Sequence, residues 1–403
     1  MRYADRINEQ IQALGQVPMP SEDAIVHSER LYQSIVAQIQ NNSIPFNEFM
    51  HQVLYAPGLG YYSAGAAKIG PEGDFITAPE ISPLFGASIG VQIAQVLNLG
   101  GGSVLEFGAG TGKLALSILR YLREQQRLPT QYYILEPSPD LQQRQKELLS
   151  QEIPELMDIV QWLDALPESF TGVVVANEVL DAMPVHVFKT NGEGIQEQYI
   201  GCSDSGDFVT EYKETKSEEL MNWWQKYGQK QHLPDGYLSE VNLNIGPWLE
   251  AIEQMMESGL ILLIDYGFPE SEYYLPERST GTLKCHYRHH HHDDPLKLPG
   301  LQDVTAHVDF TAVAEAGHGA GLDVLGYVHQ GGFLTSCGIV QMAEKQLSGD
   351  LKQQMKMSQQ IKPLIMPEEM GELFKVIALG KNLDTVDMGG LIGFSYLDLR
   401  WNL

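Results

Sequence analysis

What is scarce in this 403-residue sequence narrows it first. Three cysteines, Cys202, Cys285 and Cys337, are too few for a disulfide framework and suit a reducing compartment. Basic residues number 26 against 52 acidic ones, a net charge of −26. A surface this negative repels phosphate backbones, so no nucleic-acid partner is expected, and it favours cationic substrates. No apolar run approaches the ~18 residues of a membrane-crossing helix, so membrane insertion is not expected. The longest candidates, such as Gly259–Ile264, have the length of buried strands. The first nine residues lack an apolar core and carry acids, which argues against a secretory signal or a mitochondrial presequence. No repeat, low-complexity linker or feature that specifies an oligomeric state is present. With 43% hydrophobic residues the chain still has enough apolar material for a sizeable core.

The pattern along the chain is uneven. Residues 1–82 read as one amphipathic helix, about Ala24–Gln40, followed by an irregular aromatic and glycine-rich stretch through Pro57–Tyr62 and Gly73–Glu80. A helix then starts at Pro83 and stops at Gly100-Gly101-Gly102. Strand and helix alternate after it: strand Ser103–Phe107, helix Lys113–Gln125, strand Tyr132–Leu135, helix Asp140–Ser150, strands Ile159–Leu163 and Val173–Ala176. Strands this apolar are buried on both faces, and the alternation predicts a parallel, doubly wound α/β sheet. His186–Lys213 reads as antiparallel hairpins, followed by a helix near Ser217–Tyr227 and another ending at Gly259. Strand Leu260–Asp265 rejoins the sheet. Residues 267–303 read as a long polar loop, after which Val304–Val308, Phe310–Ala320 and Leu322–Tyr327 resume the βαβ pattern.

The most informative loop is Glu106-Phe107-Gly108-Ala109-Gly110-Thr111-Gly112, between a buried strand and a helix. A dinucleotide loop needs G-x-G-x-x-G, and here Lys113 takes the last position. A Walker loop needs Gly-Lys-Ser/Thr, and here Leu114 follows the lysine. Glu-x-Gly-x-Gly-x-Gly resembles the first motif of class I S-adenosylmethionine-dependent methyltransferases. That resemblance places the loop beneath the methionine part of the cofactor and gives Glu106 an orienting role. Glu136 ends the next strand, where a carboxylate accepts both ribose hydroxyls. Asp164, after the third strand, is the candidate for the adenine amino group, against a plain helix cap.

The fourth strand delivers Asn177-Glu178 to the carboxyl edge of the sheet, where open α/β sheets bind ligands, and Asp181 follows. Asn-Glu-x-x-Asp-Ala-x-Pro at 177–184 and Asp-Val-Thr-Ala-His-Val-Asp-Phe at 303–310 are more specific than the glycine loop. With Phe49–Tyr62, Gly73–Gly90, Asp265–Gly267 and Gly281–Pro295, they resemble the MidA family, that of the mitochondrial complex I assembly factor 7. The resemblance runs from about residue 25 to beyond residue 340. It implies a seven-stranded Rossmann-like fold, S-adenosyl-L-methionine as cofactor, and protein arginine methylation, with symmetric dimethylation in the mitochondrial member. It also implies an arginine-bearing protein substrate, and the lack of a presequence makes the chain look like a bacterial, cytoplasmic relative of the mitochondrial member. On this reading residues 1–82 are an extension packing on a methyltransferase domain, 83–403, with insertions near 186–258 and 267–303.

The chemistry assigns roles to the fourth-strand residues. Carboxylates grip a guanidinium bidentately and leave one nitrogen aimed at the methyl donor. Glu178 and Asp181 are the candidates for that clamp, with Asn177 as a positioning group. Asp265, Tyr266, Asp303, Asp309, Thr305 and His307 are candidates for the substrate wall, and each is equally a structural hydrogen-bonding residue. His289–His292 matches no metal-ligand spacing, so no metal is expected. Two alternatives remain open: a methyltransferase of a small amine or oxygen nucleophile, and an assembly factor that holds the cofactor without turnover.

Overall fold

The computed structural model describes the chain except residues 1, 16, 40–41, 64–75, 193, 346–350 and 386–388, and of residues 351–354 it describes only the backbone. The motif residues Gly73-Asp74-Phe75 therefore lie outside the described residues. The chain forms two compact units. One comprises Ile76–Leu180, Ile245–Glu270 and Val308–Leu403, and the other Met1–Phe75, Asp181–Asn244 and Ser271–His307.

The first unit is built on a large sheet. Its seven main strands, numbered along the chain, are β1 (Ser103–Phe107), β2 (Tyr132–Leu135), β3 (Val160–Leu163), β4 (Phe170–Asn177), β5 (Met256–Phe268), β6 (Asp323–His329) and β7 (Phe374–Lys381). They lie in the order β6-β7-β5-β4-β1-β2-β3. The five strands from β5 to β3 run parallel, and β7 is antiparallel to both of its neighbours. Val308–Asp309 adds a short parallel pairing at the end of β5. Val173, Val174 and Val175 of β4 and Leu260, Ile261, Leu262 and Leu263 of β5 are wholly buried, as strands covered on both faces must be. The chain winds outward through β2 and β3 and returns to the other side of β1 as β4. The carboxyl ends of β1 and β4 thus meet at the point where strand order reverses.

Helix Pro83–Leu97 packs closely on helix Lys113–Glu124. A β-carbon at Gly86 would lie 2.5 Å from that of Ser117, so the approach depends on a missing side chain. Both helices bury apolar faces in the core that also holds Val104, Ile134, Val175 and Leu262.

The second unit has two smaller sheets. In one, His186–Asn191, Gly194–Cys202, Phe208–Lys213, Leu238–Val241 and Ile44–Pro45 pair antiparallel. In the other, Lys284–Tyr287 pairs antiparallel with His290–His292 and with Asp303–Thr305. Helix Phe46–Tyr55 buries Phe46, Phe49, Met50, Val53 and Leu54 in a core with Val187, Ile200 and Val304.

The α/β class, the strand order's reversal and most element positions agree with expectation. Four readings need correction. The sheet is mixed rather than parallel, because β7 inserts between β5 and β6. The helix expected to end at Gly259 ends at Met255, and β5 starts at once. The supposed irregular N-terminal stretch holds helix Phe46–Tyr55, and another helix, Tyr3–Ala13, precedes the expected one. The supposed loop 267–303 contains helix Glu270–Tyr273 and the histidine hairpin, and Val304–Val308 is split between Asp303–Thr305 and Val308–Asp309. In the hairpin Arg288 and His289 occupy the turn with φ of +47° and +62°, as a two-residue turn with twisted strands demands.

Candidate active site

After β1 the backbone turns through Gly108, Gly110 and Gly112 with φ of +61°, +54° and +86°. This region costs little only without a β-carbon. A side chain at Gly112 would also come within 3.3 Å of Gln145, so the loop leaves a bare main-chain surface for a ligand. Glu106, one residue before the end of β1, is buried and accepts the Tyr132 hydroxyl at 2.6 Å. Burial pushes its carboxyl up to about 7, against the Tyr132 hydrogen bond and with a smaller push from Glu136.

Glu136 directly follows β2 and is almost fully buried. Its Oε1 accepts the Ser138 N–H at 3.1 Å and its Oε2 accepts Gln145 Nε2 at 3.1 Å. Burial raises it to about 7 despite these hydrogen bonds. Gln145 was not legible as a site residue. It sits in helix Pro139–Glu152 with no solvent exposure, and its Nε2 also donates to the Gly110 carbonyl at 2.9 Å. Its Oε1 accepts Trp162 Nε1 from β3 at 2.8 Å, so one amide ties the glycine loop, Glu136 and the third strand together. Asp164 is exposed in a bend just beyond β3.

Glu80 was also missed, although it belongs to a quoted motif. It lies in the short helix Ala78–Ile81, its side chain 2% exposed. The Thr111 hydroxyl donates to its Oε1 at 2.5 Å and Lys113 Nζ donates to its Oε2 at 2.5 Å.

At the end of β4, Asn177 Nδ2 donates to Glu178 Oε1 at 3.1 Å. Asn177 is 9% exposed, and its Oδ1 is buried with no hydrogen-bond partner among the described residues. Glu178 has φ of +53°, a left-handed conformation that disfavours a residue with a long side chain, and its N–H is fixed on the Ile264 carbonyl. Strain of this kind concentrates at functional sites. Asp265 secures the turn, its Oδ2 accepting the Leu180 N–H at 3.0 Å and its Oδ1 the Tyr266 N–H at 2.9 Å.

The structure therefore brings Asn177 and Glu178 into contact, and Glu136 to the glycine loop through Gln145. Asp181 belongs to the second unit, where it is buried and its carbonyl accepts the Ala306 N–H. In the same unit the Tyr62 hydroxyl donates to both oxygens of Asp303 at 3.0 Å, and Tyr62 stacks on Tyr55. Burial first, then Asp303, Tyr55 and Asp181, hold the Tyr62 phenol well above its ordinary value. Thr305 is buried in Asp303–Thr305, and the His307 N–H donates to Thr282 Oγ1. Asp309 caps helix Phe310–Ala320 by accepting the N–H groups of Thr311 and Ala312.

These features fit a nucleoside cofactor with cationic groups: a bare glycine turn, a carboxyl at the end of β2, and an orphaned acceptor and a carboxylate at the end of β4. Residues 88–328, more than half of the chain, match the family described as "Putative S-adenosyl-L-methionine-dependent methyltransferase", and the chain belongs to that family. It is an S-adenosylmethionine-dependent methyltransferase of class I fold, and S-adenosylmethionine is its cofactor. It resembles a Burkholderia thailandensis protein whose crystal structure holds S-adenosylhomocysteine. The two share 42% identity over 96% of this chain and 100% of that one, with a TM-score of 0.91. It is also similar to the mitochondrial protein arginine methyltransferase NDUFAF7 of Mus musculus, at 30% identity over 82% of this chain and 80% of the relative. The Caenorhabditis elegans homologue of NDUFAF7 is 29% identical over 86% of each chain.

Proposed function

We propose that this methyltransferase acts on arginine nitrogen in a protein substrate, with Asn177, Glu178 and Asp181 as the residues that hold the guanidinium. The observation that carries this is the end of β4. A carboxylate is held on strained backbone there, beside an amide oxygen that is buried without a partner. An orphaned buried acceptor costs about 1–3 kcal/mol, and a substrate N–H removes that cost. The names of the mitochondrial relatives support arginine as the target.

The cofactor supplies an electrophilic methyl group on a sulfonium. The loop Gly108–Gly112 with Glu106 would seat its methionine part, Glu136 its ribose hydroxyls and Asp164 its adenine amino group. Glu178 and Asp181 would pair with the guanidinium and localise its charge on the nitrogens that do not react. As the nitrogen–carbon bond forms and the sulfur–carbon bond breaks, sulfur keeps the bonding pair and the nitrogen must lose a proton. Glu178 is the carboxylate that would accept it.

The reading extends to a bacterial cytoplasmic member of the MidA group that does not act on nucleic acid. The three unpaired cysteines and the acidic charge balance support that extension. The test is to incubate extract of a deletion strain with the purified enzyme and methyl-labelled cofactor, then map the label by mass spectrometry. Methylarginine in a labelled protein is the expected result. Label confined to small molecules, or none, removes the protein-arginine reading.

A further inference from the structure

We infer that Glu80 sets the balance between cofactor and spent product by neutralising Lys113 at the cofactor loop. Lys113 is the first residue of helix Lys113–Glu124, directly after Gly112. A cation there is unfavourable, because a helix N-terminus already carries partial positive charge. No acid lies in the first turn, and Gly112 offers no capping side chain. The compensating charge comes from outside the helix. Glu80 reaches Lys113 Nζ with one oxygen and Thr111 Oγ1 with the other, both at 2.5 Å, and its carboxylate is 2% exposed. The Lys113 side chain is 43% exposed, so solvent screens the pair in part and its charge acts at the loop with an effective dielectric between those of the surface and the interior.

The two ligands that must share the loop differ in charge at sulfur. S-adenosylmethionine carries a sulfonium, an ammonium and a carboxylate, for one net positive charge. S-adenosylhomocysteine keeps the ammonium and carboxylate and is neutral overall. With Glu80 in place the loop's positive charge is cancelled and the sulfonium ligand meets no excess cation. Without Glu80, the lysine and the helix terminus both oppose it. The contacts of Glu80 run to Lys113 and Thr111, so it is a positioning and specificity residue acting through them. The inference rests on the glycine loop being the methionine subsite.

The test is calorimetric. Dissociation constants for S-adenosylmethionine, S-adenosylhomocysteine and sinefungin, whose amine restores a positive charge near the sulfur position, are measured on the full chain and its variants. Glu80→Gln keeps the shape and the ability to accept from Thr111. It should weaken S-adenosylmethionine and sinefungin roughly threefold to tenfold more than S-adenosylhomocysteine, the scale of a charge interaction across several ångströms at an effective dielectric near 20–40. Adding Lys113→Met to Glu80→Gln should restore the ratio. Lys113→Met alone, which leaves the carboxylate unopposed, should move the ratio the other way and keeps the test available if Glu80→Gln does not fold. Equal weakening of all three ligands, or none, overturns the charge role. Gly110→Val separates this from failure of the subsite. Unchanged binding in that variant removes the loop assignment itself. Lost binding there, with an unmoved ratio in the Glu80 and Lys113 variants, overturns only the inference.

Discussion

Burial holds Glu106, Glu136 and Asp309 at about 7, far above the ordinary carboxylate range. A carboxyl whose folded value is raised favours the native state while protonated. Its contribution is complete below the unfolded value near 4.5 for Glu or 3.8 for Asp and is lost as pH rises through 7. The ligand-free protein should therefore lose melting temperature between pH 5.5 and 7.5. Accepting two ribose hydroxyls requires an ionised Glu136, so the thermal shift produced by S-adenosylmethionine should grow over the same range. Glu136→Gln should flatten that growth. A cofactor shift that stays constant with pH in the unsubstituted protein would contradict the ribose assignment. At the other end of the site, Glu178→Gln should leave cofactor affinity nearly unchanged and lower methyl transfer by at least ~10²-fold, the scale of one lost electrostatic contact to a transition state. Calorimetry beside a transfer assay separates the two effects, and transfer at the parent rate sinks the clamp. In the candidate site, placement was legible where a motif framed it: the glycines in the turn after β1, Glu136 directly after β2, and Asn177-Glu178 at the end of β4. Gln145 and Glu80 were not, because their importance lies in what they bond to across the fold, and a lone Gln or Glu carries no local mark.

Among elements, the legible ones were those whose sequence closes on itself. Helix Pro83–Leu97 has Ser82 as its N-cap and proline at its first position, and β1, β2 and helix Phe310–Ala320 lie where their apolar patterns put them. Strand β7 was invisible because its place is non-local: it enters antiparallel between β5 and β6, against the rule that successive βαβ units extend a parallel sheet. The histidine hairpin was missed because its turn residues, Arg288 and His289, are not the Asn and Gly that announce such a turn. Helix packing gives this scale its own prediction. A β-carbon at Gly86 would stand 2.5 Å from Ser117 Cβ and 3.3 Å from the Leu114 carbonyl. Gly86→Ala should cost about 1–3 kcal/mol of stability through overpacking, although alanine is the better helix former. Denaturant unfolding reads this directly. A stabilised Gly86→Ala would mean that the two helices move apart without loss.

At the scale of the whole molecule the acidic excess becomes an argument about encounter. The chain carries a net charge of −26, and the side chain it is proposed to receive is cationic. Opposite charges speed association at low ionic strength, and salt removes the effect once the Debye length falls to about 8 Å near 0.15 M. For an arginine-bearing basic peptide, kcat/KM should fall several-fold as salt rises from about 20 mM to about 300 mM, a range over which the screening length shortens several-fold. The fall should lie in KM, because long-range attraction acts on encounter, whereas the proposed clamp of half-buried Glu178 and buried Asp181 acts at short range once the guanidinium has bound. Cofactor affinity should change far less, since that ligand carries one net charge against many on the peptide. Steady-state kinetics at four or five salt concentrations, with a charge-neutral peptide of the same length as control, checks the point. If kcat falls instead, or the neutral peptide shows the same dependence, the acidic surface has no part in recruiting the substrate, and recognition rests on contacts made after docking.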